Sequence, residues 1–290
     1  MKKFAIYALI SILAFPIVTL GQSRIQRLSF YSPSVSDTMH VVVLLPTHYD
    51  SARAYPVLFL LHGYGGDQNN WTDLTDLVSY TTDIPLIVVM PEAENSWYVN
   101  SVTNPKAKFE NYIMNDLPRY VGSHFLIDTT REAIAGLSMG GYGALVLALR
   151  RPHKFLFAGD LSGAITIPQI IDSVHDDPHF VVGKAQESIM PSIISAFGDH
   201  DKQFRDSHNV FVLLSRDSAS SIPYIFMAAG IQDQFREFLP TDHQFIDSLR
   251  AHGVRYEYHE MPGEHNWKFW NEELNPMLER MEVVMDLVHP

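Results

Sequence analysis

Gly136-Leu137-Ser138-Met139-Gly140-Gly141-Tyr142-Gly143 is the stretch on which the reading of this chain turns. It closes the strand pattern at 132–137, small or apolar from Ala133 onward, and opens an Ala/Leu-rich stretch at 143–150. The glycines two places before and after Ser138, at a strand-to-helix junction, mark a sharp turn with strained backbone at the serine. Their missing side chains leave room for that turn. The turn lifts the hydroxyl above the carboxyl end of the strand, at the start of a helix. A glycine-rich turn with a serine helix cap is the plainer reading. The strand and helix flanks favour a serine set up as a nucleophile.

Working outward, strands and helices alternate. Residues 24–31 and 38–45 read as two antiparallel strands joined by the polar turn Ser32-Pro33-Ser34. Residues 55–61 and 85–90 are continuous apolar runs, and 132–137, 156–161, 222–229 and 254–261 supply further strands. Such runs suit strands buried on both faces, as in a parallel sheet covered by helices. The helical pattern at 108–121 places Phe109, Tyr112, Ile113 and Leu117 on one stripe, and helices are also predicted at 143–150, 242–251 and 270–288. The fold class is therefore α/β: a mostly parallel central sheet with an antiparallel N-terminal hairpin and helices on both faces. With no repeat or linker, residues 22–290 read as a single domain. Residues 165–221 show few periods and many polar residues, and are expected to form an insertion or lid.

A serine hydroxyl needs a base to take its proton, and the base needs a carboxylate to orient it. On a strand–turn–helix scaffold of this kind the chain order is serine, acid, histidine. His265 lies in the glycine-containing stretch Met261-Pro262-Gly263-Glu264-His265, directly after the last strand. His252 sits on a helix pattern, His259 inside a strand and His289 at the terminus, so His265 is the expected base. Asp233 follows the strand at 222–229 and is the expected acid, with Glu237 the alternative. His62-Gly63-Tyr64-Gly65-Gly66 follows the strand at 55–61. An oxyanion needs backbone N–H donors, and those of Met139 and Tyr64 are the expected pair. His62 is expected to be structural.

Composition narrows the classes. The chain has 290 residues, a net charge of −12 and no cysteine. Thiolate chemistry and disulfides are excluded, and the acidic balance argues against nucleic-acid binding. Met1-Lys2-Lys3, an uncharged apolar run at 4–20, and Thr19 and Gly21 before Gln22 have the layout of a signal peptide over residues 1–21. The expectation is a secreted or periplasmic protein with no membrane attachment after cleavage. An uncleaved anchor is the alternative. No later stretch is long and apolar enough to span a bilayer.

No dinucleotide fingerprint or P-loop occurs, so no organic cofactor is expected. His175-Asp176-Asp177-Pro178-His179 offers metal-ligand types at close spacing. Nothing in the pattern fixes those ligands on a rigid element, so the expected reading is a solvated acidic loop and no metal site. Trp71, Trp97 and Tyr98 are candidates for a pocket that takes an aromatic acid, with core packing as the alternative.

The chain resembles the esterase family of α/β-hydrolases that includes short-chain acyl esterases, S-formylglutathione hydrolases (esterase D), feruloyl esterases and mycolyltransferases. The matching residues are Val43-Leu44-Leu45-Pro46 with Tyr49, Leu61-His62-Gly63, Asn95-Ser96-Trp97-Tyr98, Glu110, Ala135-Gly136-Leu137-Ser138-Met139-Gly140-Gly141, Gly230 with Asp233, and His265-Asn266-Trp267 with Phe269-Trp270. The resemblance implies an α/β-hydrolase fold and a Ser138–Asp233–His265 triad. Asn266 stands where many relatives carry Asp, and residues 165–221 match poorly. The expected function is serine-dependent hydrolysis of a small-molecule or polysaccharide-linked carboxylic ester, with feruloyl or acetyl groups on glycans favoured by export. A generic short-chain or S-formylglutathione hydrolase-like esterase is the alternative within the class. A non-catalytic carbohydrate-binding module is the alternative outside it.

Overall fold

The predicted strands assemble into one eight-stranded sheet in the computed structural model, which describes residues 23–177, 179, 187–235 and 239–287. The strands are β1 (Ile25–Ser32), β2 (Asp37–Leu44), β3 (Tyr55–Leu61), β4 (Ile87–Pro91), β5 (Ile127–Leu137), β6 (Phe157–Leu161), β7 (Tyr224–Gly230) and β8 (Tyr256–Met261). Their order across the sheet is β1-β2-β4-β3-β5-β6-β7-β8. β2 runs antiparallel to both neighbours and all other pairs are parallel, so the N-terminal hairpin is antiparallel as expected. The signal-peptide residues 1–21, Glu237 and His289 lie outside the described residues.

Successive side chains of a strand point to opposite faces, so an all-apolar strand feeds two cores. Val57, Phe59 and Leu61 of β3 belong to one cluster, Leu58 and Leu60 to the other. Helices α1 (Leu117–His124), α2 (Met139–Leu149) and α5 (Leu239–His252) contribute to the first. Helix α6 (Trp267–Val284) fills the second with Leu274, Met277, Leu278 and Met281. Between β6 and β7 lie α3 (Ile167–Asp176) and α4 (Met190–Phe197). The edge strand β8 reads Tyr-Glu-Tyr-His-Glu-Met and is only half-buried, unlike the apolar central strands.

Element boundaries shift for identifiable reasons. α6 begins at Trp267 rather than 270 because the Asn266 side chain caps it, accepting the Phe269 N–H at 3.1 Å. α2 begins at Met139 rather than 143, since all eleven of its residues are buried and tertiary packing outweighs the low helix propensity of three glycines. The helix predicted at 108–121 is split by a π-turn at Tyr112–Asp116, just before Pro118. Proline has no N–H for the carbonyl of residue 114 and would crowd it, and the wider turn relieves that conflict.

Glu110, buried to 3% exposure, ties three elements together. It pairs with Arg150 at 3.1 Å and Arg151 at 3.3 Å beyond the end of α2, and lies 3.7 Å from buried His208. Arg150 also donates to the Ser207 carbonyl at 2.8 Å. Burial would raise the Glu110 carboxyl, but nearby His208 and the hydrogen bond and charge of Arg150 outweigh it and hold it below 4.5. Its stabilisation is therefore complete above 4.5 and is lost as pH falls through the lower folded-state value. Glu110→Gln is expected to cost about 2 kcal/mol at pH 7. Denaturant titration of both proteins should show that difference shrinking as pH falls below 4.5 and through the folded-state value.

Candidate active site

The sheet places the candidate site by its connectivity. β3 and β5 are neighbours although β4 lies between them in the chain, so successive connections leave β3 in opposite directions across the sheet. Such switch points open a crevice at the carboxyl ends of the strands. Register sets Leu61 beside Gly136, which brings the 62–66 loop against Ser138. The ends of β7 and β8 are joined by Ile231 N–H to the Met261 carbonyl (2.9 Å) and Gln232 N–H to the Gly263 carbonyl (2.9 Å). Those contacts bring the loops carrying Asp233 and His265 side by side.

Ser138 has φ 52° and ψ −116°, a left-handed conformation disfavoured for a residue with a side chain. The surroundings hold it there. Ser138 N–H donates to the Leu161 carbonyl at 2.9 Å, and the Ser138 carbonyl accepts the Tyr142 N–H at 3.1 Å. A Cβ on Gly136 would come within 2.5 Å of the Gly140 carbonyl group. A Cβ on Gly140 would meet the Leu61 carbonyl oxygen at 2.5 Å. Only glycine fits at either position.

His265 Nε2 lies 2.9 Å from Ser138 Oγ, and His265 Nδ1 lies 2.7 Å from Asp233 Oδ2. A carboxylate only accepts, so Nδ1 carries the proton and Nε2 is free to accept from the serine hydroxyl. Asp233 is itself pinned: its Oδ1 accepts the Phe235 N–H at 2.7 Å. The imidazole is bracketed by the rings of Phe235 and Trp270, edge-to-face at 4.8 and 5.0 Å. A hydroxyl, an oriented imidazole and a fixed carboxylate in one hydrogen-bonded line form an arrangement able to activate the serine for acyl transfer.

The line opens into a cavity of about 450 Å³ that Gly63, Tyr64, Trp97, Ile167, Ile189 and Trp267 help to wall. Met139 is the first residue of α2, where N–H groups have no intrahelical acceptor, and Tyr64 lies in the loop facing it. The loop is held from behind: Gly65 N–H donates to Asn95 Oδ1 at 2.7 Å. His62 is buried, accepting the Ala93 N–H on Nε2 (3.0 Å) and donating from Nδ1 to the Gly63 carbonyl (2.7 Å). It braces the loop rather than facing the cavity.

Trp97 does line the cavity, with its indole N–H on Ser192 Oγ at 3.0 Å. Tyr98 requires a correction. It is fully buried, its hydroxyl donates to the His62 carbonyl at 2.8 Å, and its ring lies against Gly143 rather than in the cavity. Trp71 is likewise buried, with its indole N–H on the Leu61 carbonyl. The competing histidines lie elsewhere: His259 bonds Glu257 and Glu273, and His252 bonds the Ser248 carbonyl. Asn95, Phe235, Trp270, Ile167 and Ile189 were given no role from sequence. Asn95 and Trp270 stand in stretches that match the family, but nothing local in the sequence marks a role for a loop-bracing amide or an apolar wall.

Asp160, fully buried at the end of β6, lies against Gly141 and Gly163. Burial pushes its carboxyl up to about 8. Asp242 is also pushed up to about 8, by burial and then by the charges of Asp160, Asp233 and Glu260.

The comparisons with known proteins bear on this geometry. The family described as "Putative esterase" matches residues 32–281. The chain belongs to that esterase family. It is 28% identical over 273 residues to the acetyl esterase of Caldicellulosiruptor saccharolyticus, covering 90% of this chain and 99% of that protein. It is 30% identical over 180 residues to an endo-1,4-beta-xylanase/feruloyl esterase of Xylanibacter ruminicola, covering 57% of this chain and 25% of that protein. Among solved structures, fluorophosphonate-binding serine hydrolase F of Staphylococcus aureus, substrate bound, superposes with a TM-score of 0.74 at 25% identity, covering 89% of this chain and 97% of that chain. The chain is thus a serine carboxylic-ester hydrolase of α/β-hydrolase fold.

Two outcomes follow for this esterase. Asn95→Ala, which frees the 62–66 loop, should lower kcat on the order of tenfold and leave KM nearly unchanged in steady-state assays. A carboxyl raised in the fold stabilises fully at acid pH and loses that contribution as pH rises through its folded value. Stability should therefore fall as pH rises from 3.8 toward about 8 and level off above it, and Asp160→Asn should flatten that fall in melting curves measured from pH 5 to 9.

Proposed function

We propose that the protein acts outside the cytoplasm as an esterase working through an acyl-enzyme on Ser138. Its plan is a cleaved signal over residues 1–21 and a single domain over 22–290. Ser138 Oγ attacks the ester carbonyl as His265 Nε2 takes its proton. Asp233 orients the imidazole and offsets the imidazolium charge. The Met139 and Tyr64 N–H groups bind the oxyanion of the tetrahedral intermediate. The intermediate collapses, the alcohol leaves with the proton from His265, and the acyl group stays on Ser138. His265 then takes a proton from water, hydroxide adds to the acyl carbon, and a second collapse breaks the bond to Ser138 Oγ, which takes the proton back from His265 as the acid is freed.

The observation that carries this reading is the unbroken hydrogen-bonded line from Asp233 through His265 to Ser138, opening into a cavity. The same line argues against a non-catalytic carbohydrate-binding module. For the substrate, we favour acetyl or feruloyl esters of polysaccharides. The feruloyl side rests on the aromatic walls Tyr64, Trp97, Phe235 and Trp267 and on the similarity to a feruloyl esterase. The acetyl side rests on the similarity to an acetyl esterase. The glycan side rests on the signal-like N-terminus.

The test is hydrolysis of p-nitrophenyl acetate, p-nitrophenyl butyrate and methyl ferulate side by side. Ser138→Ala should lower kcat on the order of 10⁴-fold or more with the fold intact. Ordinary turnover in that variant would remove Ser138 from the mechanism. Preference for methyl ferulate would establish an aromatic-acid pocket. Turnover of only the small acyl esters would establish a short-chain esterase instead.

A further inference from the structure

Among the described residues, the histidines and aspartates at 175–179 do not gather into one metal-ligand cluster of their own. His179 turns its N–H onto Asp177 Oδ1, while His175 reaches across to the turn after α4. There its Nε2 lies 2.8 Å from Asp199 Oδ1, and His200 Nε2 lies 3.5 Å from Asp199 Oδ2. The ligand atoms of His175, Asp199 and His200 all lie within 4.8 Å of one another.

We propose that His175, Asp199 and His200 form a binding site for a divalent transition-metal ion of the zinc class, which clamps two walls of the catalytic cavity together. The distances fit the chemistry. Ligand atoms about 2.0–2.2 Å from zinc in a tetrahedron stand about 3.3 Å apart. The two short contacts are therefore close to edges of a coordination polyhedron, with the cation taking the place of the hydrogen bond. Two imidazoles and one carboxylate suit zinc, cobalt or nickel. Magnesium and calcium prefer all-oxygen sets. Water fills the remaining position, since His200 is 83% exposed.

A second observation separates this trio from a chance surface grouping. Its two elements are already braced beneath it by Arg205, which is 3% exposed. Arg205 Nη1 donates to the Gly198 carbonyl at 2.7 Å and the Asp199 carbonyl at 3.1 Å. Its Nε and Nη2 bond Asp172 Oδ1 at 3.1 and 2.5 Å. Asp172 lies on α3, one turn before His175. The ligand-bearing helix and turn are thus held in register before any cation arrives, which lowers the ordering cost of binding. Ile167 begins α3 and Ile189 precedes α4, and both line the cavity. A cation joining the far ends of these helices stiffens that wall.

The test is isothermal titration of the untagged protein, stripped with chelator and desalted, with zinc chloride and with magnesium chloride. The proposal expects one zinc bound per chain with micromolar affinity, no comparable magnesium binding, and a rise in melting temperature with zinc. His200→Ala and His175→Ala should each weaken zinc binding at least tenfold and abolish the thermal shift. His265→Ala should bind zinc like the parent, which separates this site from the catalytic histidine. His200 is exposed, so its variant should fold normally by circular dichroism. Absence of binding below millimolar zinc, or binding that persists unchanged in His200→Ala, overturns the proposal.

Discussion

The structure depends on one backbone conformation, the left-handed φ of Ser138 at the junction of β5 and α2. A side chain there costs about 1–3 kcal/mol of strain, so the neighbours must over-determine the turn. They do so by close approach. Gly140 lies against the Leu61 and His62 carbonyls, Gly136 lies against Gly140, and the Ser138 N–H is bonded to β6. The same contacts that force the serine upward also fix where the 62–66 loop can run. Ser138 and the loop are therefore set by one packing arrangement rather than by two independent ones.

The remaining parts hang from the ends of parallel strands. β7 and β8 deliver Asp233 and His265, and the loops that follow are tied to each other by main-chain bonds. The aromatic rings of Phe235 and Trp270 then leave the imidazole little freedom to rotate. The segment between β6 and β7 closes the cavity with Ile167 and Ile189. Two part-buried arginine-centred networks hold that segment in place, one through Arg205 and Asp172, the other through Arg150 and Glu110 with the Ser207 carbonyl. Charge is buried here where it ties irregular chain to regular elements.

What was legible in the sequence was what local chemistry demands. The turn around Ser138 needs glycines at fixed offsets, and an all-apolar run such as 55–61 must be buried on both faces. Asp233 and His265 can be named from sequence because chain order and the strand ends constrain the candidates. Non-local partners left no such trace. The role of Asn95 depends on a bond to Gly65, thirty residues away, and His175 finds Asp199 rather than its own neighbours. Trp97 and Tyr98 are adjacent, both at positive φ, yet one lines the cavity and the other is sealed behind α2. Only the packing around that bend separates them.

The account stands or falls on Ser138 being the activated nucleophile. The most direct measurement is intact-mass and peptide-mass analysis after treatment with a serine-reactive phosphonate. The account predicts one adduct per chain, located on Ser138, with loss of labelling when His265 is replaced by alanine. Absence of an adduct, or labelling that falls on another residue, would contradict it.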